Sequence, residues 1–157
     1  RIGSAAMALV TAAVEPRHHL VGFSAASGGM GGRWGGGQAG LTPLTISPRQ
    51  RLDDVAKRMG AIPMGGTDCA LPMLYARREK LDVDTFVVYT DNETWAGSVH
   101  PTQALRAYRE MTGIPAKLIV VGMTATEFTI ADPSDAGMLD VVGFDASAPA
   151  VMADFAR

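Results

Sequence analysis

Apolar and polar positions alternate along this chain in two rhythms, one helical and one strand-like, and the rhythms follow each other in turn. Residues 4–14, Ser-Ala-Ala-Met-Ala-Leu-Val-Thr-Ala-Ala-Val, are small and apolar on nearly all sides, which predicts a helix buried all round rather than an amphipathic one. Pro16 stops it, and His19-Leu20-Val21-Gly22-Phe23-Ser24 reads as a short strand. Glycine dominates 27–40, with Arg33, Trp34 and Gln38 among the few side chains, so a long irregular loop is expected there. Leu41-Thr42-Pro43-Leu44-Thr45-Ile46 reads as an edge strand, because a proline is tolerated only where no ladder partner needs its missing N–H. Ser47-Pro48-Arg49-Gln50 predicts a helix start, with Ser47 as cap, Pro48 at the first helical position and Gln50 closing a capping box. That helix runs to about Met59 and ends at Gly60. A second is expected over 69–80, capped by Thr67 or Asp68.

The second half is more regular. Thr85-Phe86-Val87-Val88-Tyr89-Thr90 and 116–123 are continuous apolar, β-rich runs typical of central parallel strands, and 139–145 is a third. Pro101 opens a helix that Gly113 ends, 124–138 reads as a loop rich in Thr, Asp and Pro, and 149–156 closes as a helix. Strands alternating with helices predict an α/β fold with a mostly parallel sheet in one domain, 1–157. Ligands in such folds sit at the carboxyl ends of strands, here Ser24, Asp91, Thr124 and Asp145.

Composition narrows the function classes. The chain has 157 residues, 47% of them hydrophobic and 19% charged, ordinary values for a globular domain with a real core. A formal net charge of −2 argues against a general nucleic-acid-binding surface but leaves room for a local basic patch. Cys69 is the single cysteine, so no internal disulfide forms, and a cytoplasmic setting is the expectation. No apolar run approaches the ~18 residues that span a bilayer, so no membrane partner is expected. The first residues, Arg1-Ile2-Gly3-Ser4, lack an initiator methionine, and the reading is of a chain that starts inside a longer protein.

Two short stretches carry the candidate chemistry: Gly65-Gly66-Thr67-Asp68-Cys69 and Thr90-Asp91-Asn92-Glu93. The glycines let backbone pass close to a ligand. The hydroxyl and carboxylate oxygens are those a hard cation such as Mg²⁺ prefers. Asp91, after the 85–90 strand, is the strongest candidate, set against a plain turn-capping role. Thr67 at a helix start is equally at home as a cap. Gly35-Gly36-Gly37-Gln38-Ala39-Gly40 fits G-x-G-x-x-G, yet Leu41-Thr42-Pro43 is no helix start and the dinucleotide context fails. An enzyme reading would use Asp91, or Cys69 as nucleophile with His100 as base. Its bland counterpart makes Cys69 a small buried residue in a first helical turn. Basic residues gather in four groups, Arg49/Arg51, Lys57/Arg58, Arg77/Arg78/Lys80 and Arg106/Arg109, and the sequence does not select among them.

The assembled residues resemble the von Willebrand factor type A domain, and most closely the version at the carboxyl end of the Ro ribonucleoprotein (TROVE module) family. The resemblance spans essentially the whole chain and rests on several strings. They are 62–73 (Ile-Pro-Met-Gly-Gly-Thr-Asp-Cys-Ala-Leu-Pro-Met), 86–94 (Phe-Val-Val-Tyr-Thr-Asp-Asn-Glu-Thr), Val99-His100-Pro101, 114–120 and 128–133. It implies a Rossmann-like fold and a metal-ion-dependent adhesion site in which Thr67 and Asp91 are ligands. Asp68 and Asn92 would support those two from behind. In the family the remaining ligands come from an Asp-x-Ser-x-Ser motif on the first, central strand. No such motif occurs here, since Ser24-Ala25-Ala26-Ser27 lacks the aspartate, and 1–14 resemble the helix that follows it. The resemblance therefore implies a domain without its first central strand and with only weak divalent-cation binding. It further implies a non-enzymatic role in an RNA-binding protein whose partners are small non-coding Y-like RNA and misfolded RNA, with a protein partner at the metal site. The readings set beside it are the α/β enzyme and a structural remnant without metal.

Overall fold

A computed structural model of the chain describes residues 2–23, 41–61, 69–90, 99–122, 130–143 and 145–157. Two compact units divide it, Arg1–Gly66 and Thr67–Arg157.

In the first unit, α1 (Ile2–Val14) and α2 (Leu52–Gly60) pack together, and β1 (Val21–Phe23) pairs antiparallel with β2 (Leu41–Pro43). Ala5 and Ala8 are small enough to let α1 come close, and with Ile46 and Val55 they form a core that Leu9, Leu20, Leu44 and Met59 extend. Pro43 lies opposite Val21 at the end of the ladder, where its missing N–H costs nothing. Pairing then continues by one bond, Leu44 N–H to Leu20 O at 2.8 Å.

Two expectations for this unit are corrected. The first helix is not buried all round: Ala5, Met7 and Ala8 are, whereas Ile2, Val10 and Val14 are exposed. The capping box at Ser47 closes a turn rather than a helix. Ser47 N–H donates to Gln50 Oε1 (2.9 Å) and Gln50 N–H to Ser47 O (3.0 Å), but Arg51 is extended at φ −77°, ψ 146° and the helix starts only at Leu52. From there Leu52, Val55, Ala56 and Met59 fall on one side and Asp53, Asp54, Lys57 and Arg58 on the other, the 3.6-residue rhythm of a half-buried helix.

The second unit holds the parallel sheet. Strands β3 (Thr85–Thr90), β4 (Lys117–Gly122) and β5 (Met138–Val142) lie side by side in that order. Thr90, Gly122 and Val142 end the three strands in one register. Helices α3 (Leu71–Arg78), α4 (Pro101–Thr112) and α5 (Ala148–Ala156) complete it. Alternation puts Phe86, Val88 and Thr90 on one face, and the Phe86 ring meets Tyr108 of α4 edge-on at 5.0 Å. The opposite face carries Lys117, whose Nζ donates to Phe155 O of α5 at 2.7 Å. Helices thus cover both faces, and β4, flanked on both sides, is buried almost throughout.

Local signals end these elements. Gly113, at φ 71°, closes α4 in the left-handed conformation a glycine adopts freely, and Lys80 takes the same region at φ 54° after α3. The expected cap on Thr67 or Asp68 is not the one found: α3 begins at Leu71 with Ala70 in the capping position and no side-chain cap, and Pro72 sits in its first turn.

Candidate functional site

The carboxyl edge of the sheet is where β3 delivers Thr90, β4 Gly122 and β5 Val142. Thr90 is the one buried polar residue among those described, 6% exposed, on the same face as Phe86 and Val88. Gly143 turns the chain at φ 80° and ties the edge together, its N–H donating to Gly122 O at 2.9 Å.

Thr67, Asp68, Asp91 and Asn92 lie outside the described residues, as does the glycine-rich stretch with Arg33 and Trp34. Asp145, expected at a strand end, has a structural job: its Oδ1 accepts from the Ser147 and Ala148 N–H groups and the Ser147 hydroxyl, starting α5. The Ser147 hydroxyl above all holds this carboxyl below the usual carboxylate range. His100 caps α4, its Nδ1 accepting from Thr102 N–H at 3.2 Å with the Thr102 hydroxyl 2.8 Å away. Cys69 is 1% exposed, the small buried residue expected, though it lies in the turn before α3 and not in the helix's first turn. Among the described residues no group of three or more His, Cys, Asp or Glu could hold a metal ion. No helix among them is long and apolar enough to cross a membrane.

The sequence reading overlooked the network that anchors the 130–137 segment between β4 and β5. Arg109 of α4 donates through Nη1 to Asp135 Oδ2 (2.6 Å) and through Nε to Ala116 O (2.7 Å). One turn earlier Arg106 reaches Asp132 Oδ2 at 3.1 Å. Two arginines three apart thus meet two aspartates three apart, a matched spacing that the sequence does display. Asp140 of β5 accepts from Ala131 N–H at 3.3 Å, and burial pushes its carboxyl above the ordinary range. Tyr89 on β3 is raised to about 12, also by burial.

The model of the family described as Ro60 vWA domain matches residues 1–156. The chain belongs to the Ro60 vWA domain family. A Ro60 vWA domain is thus what the three parallel strands and their helices build, and relatives agree. RNA-binding protein RO60 of Deinococcus radiodurans is 51% identical over 156 residues, 99% of this chain and 27% of that protein. RNA-binding protein RO60 of Caenorhabditis elegans is 46% identical over 116 residues, 73% of this chain and 18% of that protein. The crystal structure of the Deinococcus radiodurans RO (RSR) protein superposes with a TM-score of 0.84 at 51% identity, over 99% of this chain and 29% of that one. The chain therefore spans about a quarter of the length of the Deinococcus protein. The expected von Willebrand factor A fold, with a parallel sheet between helices, is the one observed.

Proposed function

We propose that this domain is the non-enzymatic binding domain of a Ro-like RNA-binding protein. The observation that carries the reading is 51% identity across 99% of the chain to a protein named for RNA binding. The longer protein would bind small non-coding Y-like RNA and misfolded RNA, and this domain would offer a cation-assisted contact to a protein partner. Thr67 and Asp91 would be the ligands, with Asp68 and Asn92 supporting them. Donor chemistry supports this, because a hydroxyl and a carboxylate are the hard oxygens Mg²⁺ takes. So does position, because Asp91 follows buried Thr90 in sequence at the ligand-binding edge of a parallel sheet. Two protein oxygens are few, so the affinity should be weak, on the order of 10⁻³ M.

Two measurements test the reading. Titration calorimetry with Mg²⁺ should give weak heat with the wild type and none with Asp91→Ala or Thr67→Ala; equal heats from all three would remove the cation. RNA should co-purify with the longer protein from cells, and a preparation free of RNA would remove the RNA-binding assignment. Burial of Cys69 and the capping role of His100 favour this reading over the enzyme.

A further inference from the structure

Charge is divided unevenly between the two units. Arg1–Gly66 carries seven Lys and Arg against three Asp and Glu, a formal +4, whereas Thr67–Arg157 carries seven against thirteen, a formal −6. The net −2 of the whole chain hides this split.

The structure also separates the four basic groups that the sequence left level. Arg106 and Arg109 are committed to Asp132 and Asp135. Arg77, Arg78 and Lys80 belong to the acidic unit, and Arg78 is paired with Glu79 at 3.0 Å. Arg49, Arg51, Lys57 and Arg58 remain. All four are exposed, and all lie on or just before α2 in the basic unit.

Geometry gathers the three arginines of this group. Arg51, at the extended start of α2, and Arg58 are seven residues apart, nearly two full turns, so both lie along one edge of the helix, exposed beside the side that buries Val55. Arg58 Nη1 donates to Thr45 O at 2.8 Å, which brings its guanidinium back to the segment leading into the Ser47 turn. That turn, closed by Ser47 and Gln50, also fixes the Arg49 backbone, whose N–H donates to Ser47 Oγ at 3.3 Å. The competing acids are Asp53 and Asp54, and the Arg51–Asp53 contact is 3.4 Å with both side chains open to water, an interaction worth little. Exposed guanidinium groups in a basic setting, with no aromatic platform among them, suit a phosphate backbone and carry no base code.

We propose that this face of α2 with its preceding turn contacts the phosphate backbone of single-stranded RNA. The proposal rests on the RNA-binding reading above and assigns part of that binding to this domain. Its test is the salt dependence of binding by the full 157-residue chain to a labelled oligouridylate of about 20 nucleotides. Each phosphate neutralised contributes roughly −0.7 to the slope of log K against log salt. Arg49→Gln/Arg51→Gln/Arg58→Gln should therefore flatten the slope by about 2, and the three contacts account for about a 20-fold affinity change between 50 and 200 mM salt. Because Arg58 also holds Thr45, Arg49→Gln/Arg51→Gln serves as a second variant that leaves that bond intact, with a flattening of about 1.4. Arg77→Gln/Arg78→Gln, in the acidic unit, should leave the slope unchanged. The proposal is overturned by a wild-type chain that does not bind at low salt, by an unchanged slope in the α2 variants, or by equal flattening in the control. It is likewise overturned if the α2 variants lose a protein partner while RNA affinity stays as it was. RNA-free longer protein removes the RNA-binding reading itself, whereas RNA-bound longer protein with an insensitive α2 removes only this surface.

Discussion

Gly137→Ala tests the anchor between α4 and the 130–137 segment without deleting any atom of it. A Cβ at Gly137 would overlap Arg109 Nη2 and stand 3.2 Å from Asp135 Oδ1. The backbone there cannot yield easily, since Gly137 N–H donates to Asp135 Oδ1 (2.8 Å) and its carbonyl accepts from Leu118 N–H of β4 (2.8 Å). The guanidinium must move instead, and its 2.6 Å bond to Asp135 is the interaction at stake. Both side chains are about a fifth exposed, 23% and 19%, so the bond falls between a surface pair and a fully buried one. A hydrogen bond to a charged group is worth about 1.5–3 kcal/mol, while alanine for glycine returns about 0.4–1 kcal/mol by narrowing the unfolded ensemble. The expected outcome is a net loss of about 1–2 kcal/mol in urea unfolding followed by circular dichroism. In an Arg109→Ala background the overlap with Nη2 is gone and only the 3.2 Å approach to Asp135 Oδ1 remains, so Gly137→Ala should cost clearly less than in the wild type, up to about 1 kcal/mol less. A second signature is the acid limb. Arg109's hydrogen bond, foremost, holds the Asp135 carboxyl below its ordinary value. A depressed folded value gives stability that is present above the unfolded carboxylate range and lost as pH falls through the folded value. Gly137→Ala should shrink that acid-dependent loss. Equal costs in both backgrounds would refute the reasoning.

Three further outcomes follow from neighbouring contacts. Tyr108→Phe removes a hydroxyl that accepts from Val83 N–H (2.8 Å) and donates to Leu81 O; losing both part-buried bonds should cost about 1–2 kcal/mol in urea unfolding. Lys117→Met removes both the bond to Phe155 O and the ammonium 5.5 Å above the Phe155 ring, so amide exchange should quicken by several-fold in the last turn of α5 and not in β4. Asp140→Asn keeps an acceptor for Ala131 N–H but removes a carboxyl whose folded pKa burial raises. The folded state binds more protons in that window, so wild-type stability falls as pH rises through it. The variant should therefore be the more stable at neutral pH, with the advantage gone below the unfolded carboxylate range; a constant difference across pH would contradict this.

The elements written in continuous apolar runs were legible, and those written in local turn chemistry were less so. Residues 85–90 and 116–123 carry too many β-branched side chains for any other assignment, and both strands formed within a residue or two. Pro101 and Gly113 bracketed α4 because one pre-sets the first turn and the other alone adopts the closing conformation easily. At Ser47 the same reasoning misplaced a helix start, since a capping box and a four-residue turn share their first hydrogen bonds and only Arg51 separates them. Ile2, Val10 and Val14 concealed the outward face of α1, because an apolar side chain does not by itself imply burial. At the site, the capping of α5 by Asp145 could have been read from Asp145-x-Ser147, but the charge pairing of α4 with 130–137 needed the matched spacing of two distant segments.

That pairing also bears on how the carboxyl edge of the sheet is held. The described chain on either side of residues 91–98 is fixed, by buried Thr90 in the β3 ladder and by His100 capping α4. On either side of residues 123–129 it is fixed by Gly122, paired across to β5, and by Ala131, whose N–H is taken by Asp140. Beyond Ala131, Asp132 and Asp135 reach the same helix that His100 caps. Helix α4 is therefore a common anchor for the far ends of both connections leaving the carboxyl edge. A substitution at Arg106 or Arg109, far along α4 from its amino end, would reach the geometry of that edge through the anchor rather than through any ligand. Rigid ends of this kind are what allow a connection to carry a binding function on a scaffold of modest size.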